Sequence, residues 1–145
     1  MTKTFLDTNV ILDHALGRAF ADEAEKILAL SERGLINCYT STGALYTLAY
    51  ILTKALKDIE LVREKLLQYL TLITPVANLP YDFEQAICDK AFTDIEDAFQ
   101  YYTALQAGCN FFVTANIKDF KKGETKKLPI FKPDDYLLML NDMTV

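Results

Sequence analysis

The 145-residue chain carries 51% hydrophobic and 24% charged side chains, enough apolar material for one sizeable core and hardly for two, so a single domain over residues 1–145 is expected. A formal net charge of −5 excludes a domain that grips nucleic acid through a broadly basic surface. No leader of basic, apolar and then small residues opens the chain, and its longest uncharged stretch, residues 34–53, is broken by Asn37, Ser41 and several threonines; a cytoplasmic protein without a membrane span is expected.

In chain order, Thr4-Phe5-Leu6 is a short apolar run that ends at Asp7-Thr8-Asn9, and Val10-Ile11-Leu12 restarts the apolar pattern, which predicts a strand, a turn and a helix closed by Gly17. Ala21, Ala24, Ile27, Leu28 and Leu30 recur at helical spacing among charged residues before Gly34 supplies a stop. Residues 35–39 predict a second strand. Ser41 or Thr42 then caps a helix to about Leu56, and Asp58 caps another to about Leu72. A third strand is expected over residues 73–76, and a helix over 82–92 after Pro80. From Thr93-Asp94 a further helix places Ile95, Ala98, Phe99, Tyr102 and Leu105 on one face and stops at Gly108. Residues 110–114 predict a fourth strand and Ile130-Phe131 a short fifth, and Pro133 opens a terminal helix. This alternation implies an α/β fold: three layers, α/β/α, around a central parallel sheet of about five strands with right-handed crossovers.

Three further features shape expectations. Cys38, Cys88 and Cys109 are odd in number and lie outside any Cys-x-x-Cys pattern, so core packing is expected of all three rather than a disulfide framework or a zinc site. Six lysines stand against Asp119 and Glu124 between Ile117 and Lys132, a local balance of +4 that leaves −9 elsewhere. Tyr46, Tyr50, Tyr101 and Tyr102 could stack on bases, but their helical spacing favours core or dimer packing.

Ligands in open α/β sheets bind beyond the carboxyl ends of strands, near the point where strand order reverses. Asp7 directly follows the first strand; Thr114, Asn116 and Asp119 follow the fourth; and Asp94, Glu96 and Asp97 crowd the start of the helix before it. If the first and fourth strands are neighbours, these groups share one crevice. Their carboxylates would repel by about 1 to 4 kcal/mol per pair near 4 Å, a penalty that a divalent cation removes. Plainer roles also exist. Asp7 could cap the following helix, although Thr8 and Asn9 are available for that, and Asp97 could complete a capping box with Asp94. Asp119 and Asn116 could be ordinary turn residues.

Residues 5–13 (Phe-Leu-Asp-Thr-Asn-Val-Ile-Leu-Asp), 94–101 (Asp-Ile-Glu-Asp-Ala-Phe-Gln-Tyr) and 112–120 (Phe-Val-Thr-Ala-Asn-Ile-Lys-Asp-Phe) together resemble the PIN-domain ribonucleases, which include VapC-type toxins of bacterial toxin-antitoxin pairs. The resemblance spans nearly the whole chain and implies endonucleolytic cleavage of RNA by a metal-activated water, with Mg²⁺ or Mn²⁺ held by oxygen ligands. It implies that Asp7 and Asp97 are metal ligands, that Asp119 or Asn116 completes the cluster, and that Thr114 orients a ligand. It also implies a small antitoxin-like partner and a homodimer. Lys118, Lys121 and Lys122, with Lys126 and Lys127, are candidates for contact with RNA phosphates, or simply a solvated loop. His14, the sole histidine, is expected on a helix surface.

One departure from the family pattern stands out. A further acid is expected early in the helix after the second strand, near Tyr46 or Thr47, yet no Asp or Glu occurs from Gly34 through Lys57. Asp94, Glu96 or Asp13 could compensate, and Asn9 or the Thr47 hydroxyl could assist; otherwise the domain binds RNA or protein without cleaving. A phosphotransferase of the haloacid-dehalogenase type, suggested by the Phe5–Asn9 strand end, is disfavoured because the Asn9 amide cannot deliver a proton to the leaving group.

Overall fold

The computed structural model describes residues 1–120 and 127–143, apart from the side chain of Asp119. Five strands, β1 (Lys3–Leu6), β2 (Asn37–Ser41), β3 (Ile73–Val76), β4 (Phe111–Val113) and β5 (Ile130–Phe131), form one parallel sheet in the order β3-β2-β1-β4-β5. Chain progress runs from β1 outward through β2 to β3, then returns to the other side of β1 for β4. The order therefore reverses between β1 and β4, and ligands of open α/β sheets bind beyond the carboxyl ends at such a point. Pro75 lies in β3, an edge strand, where the missing N–H costs no ladder bond.

Among the described residues, seven α-helices accompany the sheet: α1 (Thr8–Leu16), α2 (Ala21–Glu32), α3 (Thr42–Leu56), α4 (Ile59–Leu72), α5 (Pro80–Cys88), α6 (Ile95–Gln106) and α7 (Pro133–Met143). Alternation along the strands divides the core. Leu6 and Val113 face a cluster with Val10, Ile11, Ile27, Leu48, Leu52, Val62 and Tyr136, while Phe5 and Phe112 face the other way onto Ala98, Tyr101, Ala104, Phe120 and Leu128. Helices α5 and α6 thus cover one face and the remaining helices the other, which gives the expected three layers.

The polar residues at helix starts act locally as expected. Ser41 accepts from the Ala44 amide, Asp58 from Leu61 and Asp94 from Asp97, and Gly17 closes α1 with φ 65°. Several details differ from expectation. Helix α1 starts earlier than Val10, at Thr8, and Asp7 itself is its N-cap. Strand β2 begins at Asn37 rather than Leu35, because Gly34 turns the chain at φ 73° and leaves Leu35 53% exposed, and pairing starts only where Asn37 meets Lys3. Helix α5 stops at Cys88, since Asp89 is extended and accepts from the Ala91 amide in a turn. Cys88 is consequently exposed, whereas Cys38 and Cys109 are buried as expected.

His14 is no simple surface residue: its Nδ1 lies 2.7 Å from the Tyr69 hydroxyl and its Nε2 2.9 Å from Glu25, so one ring joins α1 to α2 and α4. The four tyrosines divide. Tyr101 is fully buried and Tyr102 bonds Asp89 at 2.7 Å, but Tyr46 and Tyr50 are exposed on α3. No helix among the described residues is long and apolar enough to cross a membrane.

Candidate functional site

The candidate site is built from the loops that leave β1 and β4. The Asp7 amide donates to Val113 O at 2.9 Å, which brings the end of β1 beside β4. Its carboxylate is buried and directed by three groups. Oδ1 accepts from the Thr8 amide at 2.8 Å, while Oδ2 accepts from Thr114 Oγ1 at 2.9 Å and from Asn9 Nδ2 at 3.3 Å. Asn9 ties the two loops together, because its Oδ1 also accepts from the Ala115 amide at 3.0 Å. Thr114 is fully buried, and its hydroxyl accepts from the Asn116 amide at 3.1 Å. Two predicted participants, Asn9 and Thr114, therefore act first by fixing Asp7.

From the opposite side, the start of α6 contributes Glu96 and Asp97. One carboxylate oxygen from each of Asp7, Glu96 and Asp97 lies within 4.8 Å of the others. Asp97 is 5% exposed and Glu96 is open to solvent. At that separation each pair of charges repels by about 1 to 3 kcal/mol. No lysine or arginine pairs with Asp7 or Glu96 among the described residues. Burial, and then the charge of Glu96, push the Asp7 carboxyl up from 3.8 to about 7, against the lowering effect of the Thr114 and Thr8 hydrogen bonds. Three hard oxygen donors with unfavourable mutual charge fit a divalent cation such as Mg²⁺ or Mn²⁺, which takes carboxylate ligands and would reverse the sign of the local field.

The structure separates the candidates for the missing acid. Asp13 is engaged elsewhere: Arg18 Nε bonds its Oδ1 at 3.0 Å and the Phe20 amide its Oδ2 at 3.4 Å. Asp94 caps α6 and lies close enough to raise the Asp7 pKa slightly. Glu96 is the acid that joins Asp7 and Asp97. Thr47 is half-buried on α3. Lys118 is exposed in a 3₁₀ turn over Ile117–Asp119, directly after Asn116. Lys121, Lys122 and Lys126, and the Asp119 side chain, lie outside the described residues.

Sequence reasoning missed one contributor. Gln100, buried on α6, accepts from Ser41 Oγ at 2.6 Å and donates from Nε2 to Glu96 Oε1 at 2.9 Å. The available signal was the i, i+4 spacing of Glu96 and Gln100; the Ser41 contact joins residues 59 positions apart and had no local trace.

The family model described as PIN domain matches residues 3–118, a span that contains Asp7, Glu96, Asp97 and Thr114. The chain belongs to the PIN domain family. This PIN domain is 31% identical over 126 residues to Ribonuclease VapC1 of Aquifex aeolicus (strain VF5), an alignment that covers 81% of this chain and 83% of that protein. It also superposes on a chain in the crystal structure of VapBC2 from Rickettsia felis bound to a DNA fragment from their promoter, with a TM-score of 0.71 at 19% identity over 90% of this chain and 98% of that one. A chain of a toxin-antitoxin complex from Klebsiella pneumoniae gives a TM-score of 0.62 at 17% identity, over 90% and 97% of the two chains. At such identities these superpositions speak for the fold. What the PIN domain shares with them is its α/β fold.

Proposed function

We propose that this chain is a metal-dependent endoribonuclease of the VapC-toxin type. The observation that carries the reading is the convergence of the Asp7, Glu96 and Asp97 carboxylates beyond the ends of β1 and β4. Membership of the PIN domain family and the likeness to Ribonuclease VapC1 support RNA as the substrate class. Asp7, Asp97 and Glu96 would hold Mg²⁺ or Mn²⁺, with Asp119 or Asn116 completing the set. When bound, such an ion supplies Lewis-acid stabilisation of charge on the phosphoryl oxygens and lowers the pKa of a nucleophilic water.

The chain's own residues prepare the site. Thr114 and Asn9 direct Oδ2 of Asp7, and the Thr8 amide holds Oδ1, so the carboxylate keeps one orientation without needing the ion. The Asp94 cap sets the first turn of α6, from which Glu96 and Asp97 project. Lys118, exposed in the turn that follows Asn116, would neutralise substrate phosphate without reading bases. The acidic remainder of the surface keeps non-specific RNA binding weak. An antitoxin-like protein is the proposed partner, supported by the toxin-antitoxin complexes among the structural neighbours. A homodimer in the cytoplasm is the proposed state, and the exposed Tyr46, Tyr50, Leu67 and Leu70 on α3 and α4 supply apolar surface for it.

Purified protein is expected to cleave RNA when Mn²⁺ is added. Asp7→Asn and Asp97→Asn should each reduce the rate on the order of a hundredfold or more, the scale seen when one electrostatic stabiliser is lost. Cleavage equal to wild type in both variants would overturn the proposal. A second reading has its own observation: α3 carries no acid, and Tyr46 or Thr47 stands near where the family pattern expects one. On that reading the domain binds RNA or protein without turnover, and turnover by pure protein that disappears with the same substitutions excludes it.

A further inference from the structure

Glu96 presents a puzzle of its own. It is solvent-exposed, yet one of its carboxylate oxygens lies within 4.8 Å of those of the two buried aspartates. A free surface glutamate samples many rotamers, and ordering it in one of them carries an entropic cost. We propose that Gln100 is the positioning residue that sets Glu96 into the cluster, and that Ser41 fixes the direction of the Gln100 amide. This rests on the metal-site reading above and extends it to a buried link between β2 and α6.

Ser41 Oγ accepts from the Ala44 amide at 3.0 Å as the N-cap of α3, which leaves its O–H to donate. The acceptor is Gln100 Oε1 at 2.6 Å. Glu96 Oε1 lies 2.9 Å from Gln100 Nε2, and a carboxylate can only accept. If the amide were turned over, its carbonyl oxygen would face that carboxylate as a second acceptor. Only one orientation satisfies both ends. Ser41 and Gln100 are both buried, so the amide cannot readily exchange these partners for water.

A second clamp holds the same joint. Asn78 Oδ1 accepts from the Gly43 amide at 2.8 Å, and Asn78 Nδ2 donates to Thr103 Oγ1 at 2.6 Å. Glu96, Gln100 and Thr103 follow one another at i, i+4 and i+7, and so form one stripe along α6. The lower two are fastened to the start of α3 and the uppermost is left to face Asp7. In place of an acid on α3, this chain uses the start of that helix to hold an acid on α6.

The test is Mn²⁺ binding by the metal-free protein, measured by calorimetry and by the loss of the free-ion electron paramagnetic signal. Gln100→Met, of similar length but without a donor, should weaken Mn²⁺ about tenfold, within the range typical of residues that orient metal ligands. The same change made in a Glu96→Ala protein should have no further effect, because Gln100 acts through Glu96. An equal loss in both backgrounds would mark a general structural role and overturn the proposal, as would Gln100→Met binding like wild type. Gln100→Asn keeps a buried amide but cannot span both partners; it should reproduce the loss, and it carries the comparison if Gln100→Met does not fold by circular dichroism. Asp7→Asn separates the two levels: wild-type protein that fails to bind Mn²⁺, or binds it equally well with Asp7→Asn, overturns the metal site itself and the Gln100 role with it. Binding that depends on Asp7 but not on Gln100 overturns only the latter.

Discussion

Asp7 concentrates the chemistry of the site into one titration. Its carboxyl is raised from 3.8 to about 7, first by burial and then by Glu96. A group whose folded pKa lies above its unfolded value contributes stability below the unfolded pKa and loses it as pH rises through the folded one. Metal-free protein should therefore be most favoured near pH 4 as far as Asp7 is concerned, and lose up to a few kcal/mol between about pH 4 and 7. A cation binds the deprotonated form, so the direction reverses for the loaded protein. The rise in melting temperature caused by Mn²⁺ should accordingly be large at pH 8 and shrink as pH falls below 7. In Asp7→Asn both the Mn²⁺ effect and this part of the pH slope should be missing. Equal Mn²⁺ shifts at pH 5 and pH 8 would contradict it. Asp7 and Asp97 were legible as members of the candidate site, whose carboxylates the fold brings together, because each stands at an element boundary where a carboxylate is conspicuous. Glu96 was legible only as one acid among several, since its selection over Asp13 depends on Arg18 taking one and Gln100 holding the other.

The junction of β2 with α3 is held by a side chain distant in sequence, Asn78. Gly43 lies in the first turn of α3, where Gly→Ala ordinarily stabilises a helix by about 0.5 to 1 kcal/mol. Here an added Cβ would meet Asn78 Oδ1 at 2.9 Å, the atom that accepts from the Gly43 amide at 2.8 Å and from Thr42 Oγ1 at 3.2 Å. Moving Asn78 also strains its bond to Thr103, and each lost hydrogen bond costs about 1 kcal/mol. Gly43→Ala should thus destabilise the protein by about 1 kcal/mol in urea unfolding, and become neutral or stabilising once Asn78→Ala has removed the obstruction. Destabilisation that persists in that background would point to a different cause. Local signals placed most elements: the caps Ser41, Asp58 and Asp94 and the stop at Gly17 all work through neighbours in sequence. They failed where a boundary is set by a distant partner. Leu35 and Ile36 look like strand, but β2 starts only where β1 offers pairing to Asn37.

At the scale of the whole molecule, both cores lean on the same short strands. Phe5 and Leu6 are consecutive residues of β1 that face opposite layers, as do Phe112 and Val113 of β4. Alternation of strands and helices made this layered plan legible, and the reversal beside Asp7 follows from β4 pairing with β1, a contact the sequence could pose only as a condition. Because neither layer has a sheet of its own, the described core should unfold in one step. Phe112 stacks near Phe5 with ring centres 5.2 Å apart and also meets Phe120 at 4.9 Å, so Phe112→Ala should cost about 3 to 5 kcal/mol. Leu52→Ala, in the other layer, should cost about 2 to 5 kcal/mol. The cysteines supply a probe for each side: Cys38 lies in the layer of Leu52, Cys109 in that of Phe112, and exposed Cys88 is a control that labels throughout. Pulsed thiol labelling along a urea series, read by mass spectrometry, should expose Cys38 and Cys109 at one shared midpoint. Either substitution should lower that midpoint for both thiols alike. If Phe112→Ala exposed Cys109 while Cys38 stayed protected, the layers would be separate folding units and the shared strands would not couple them.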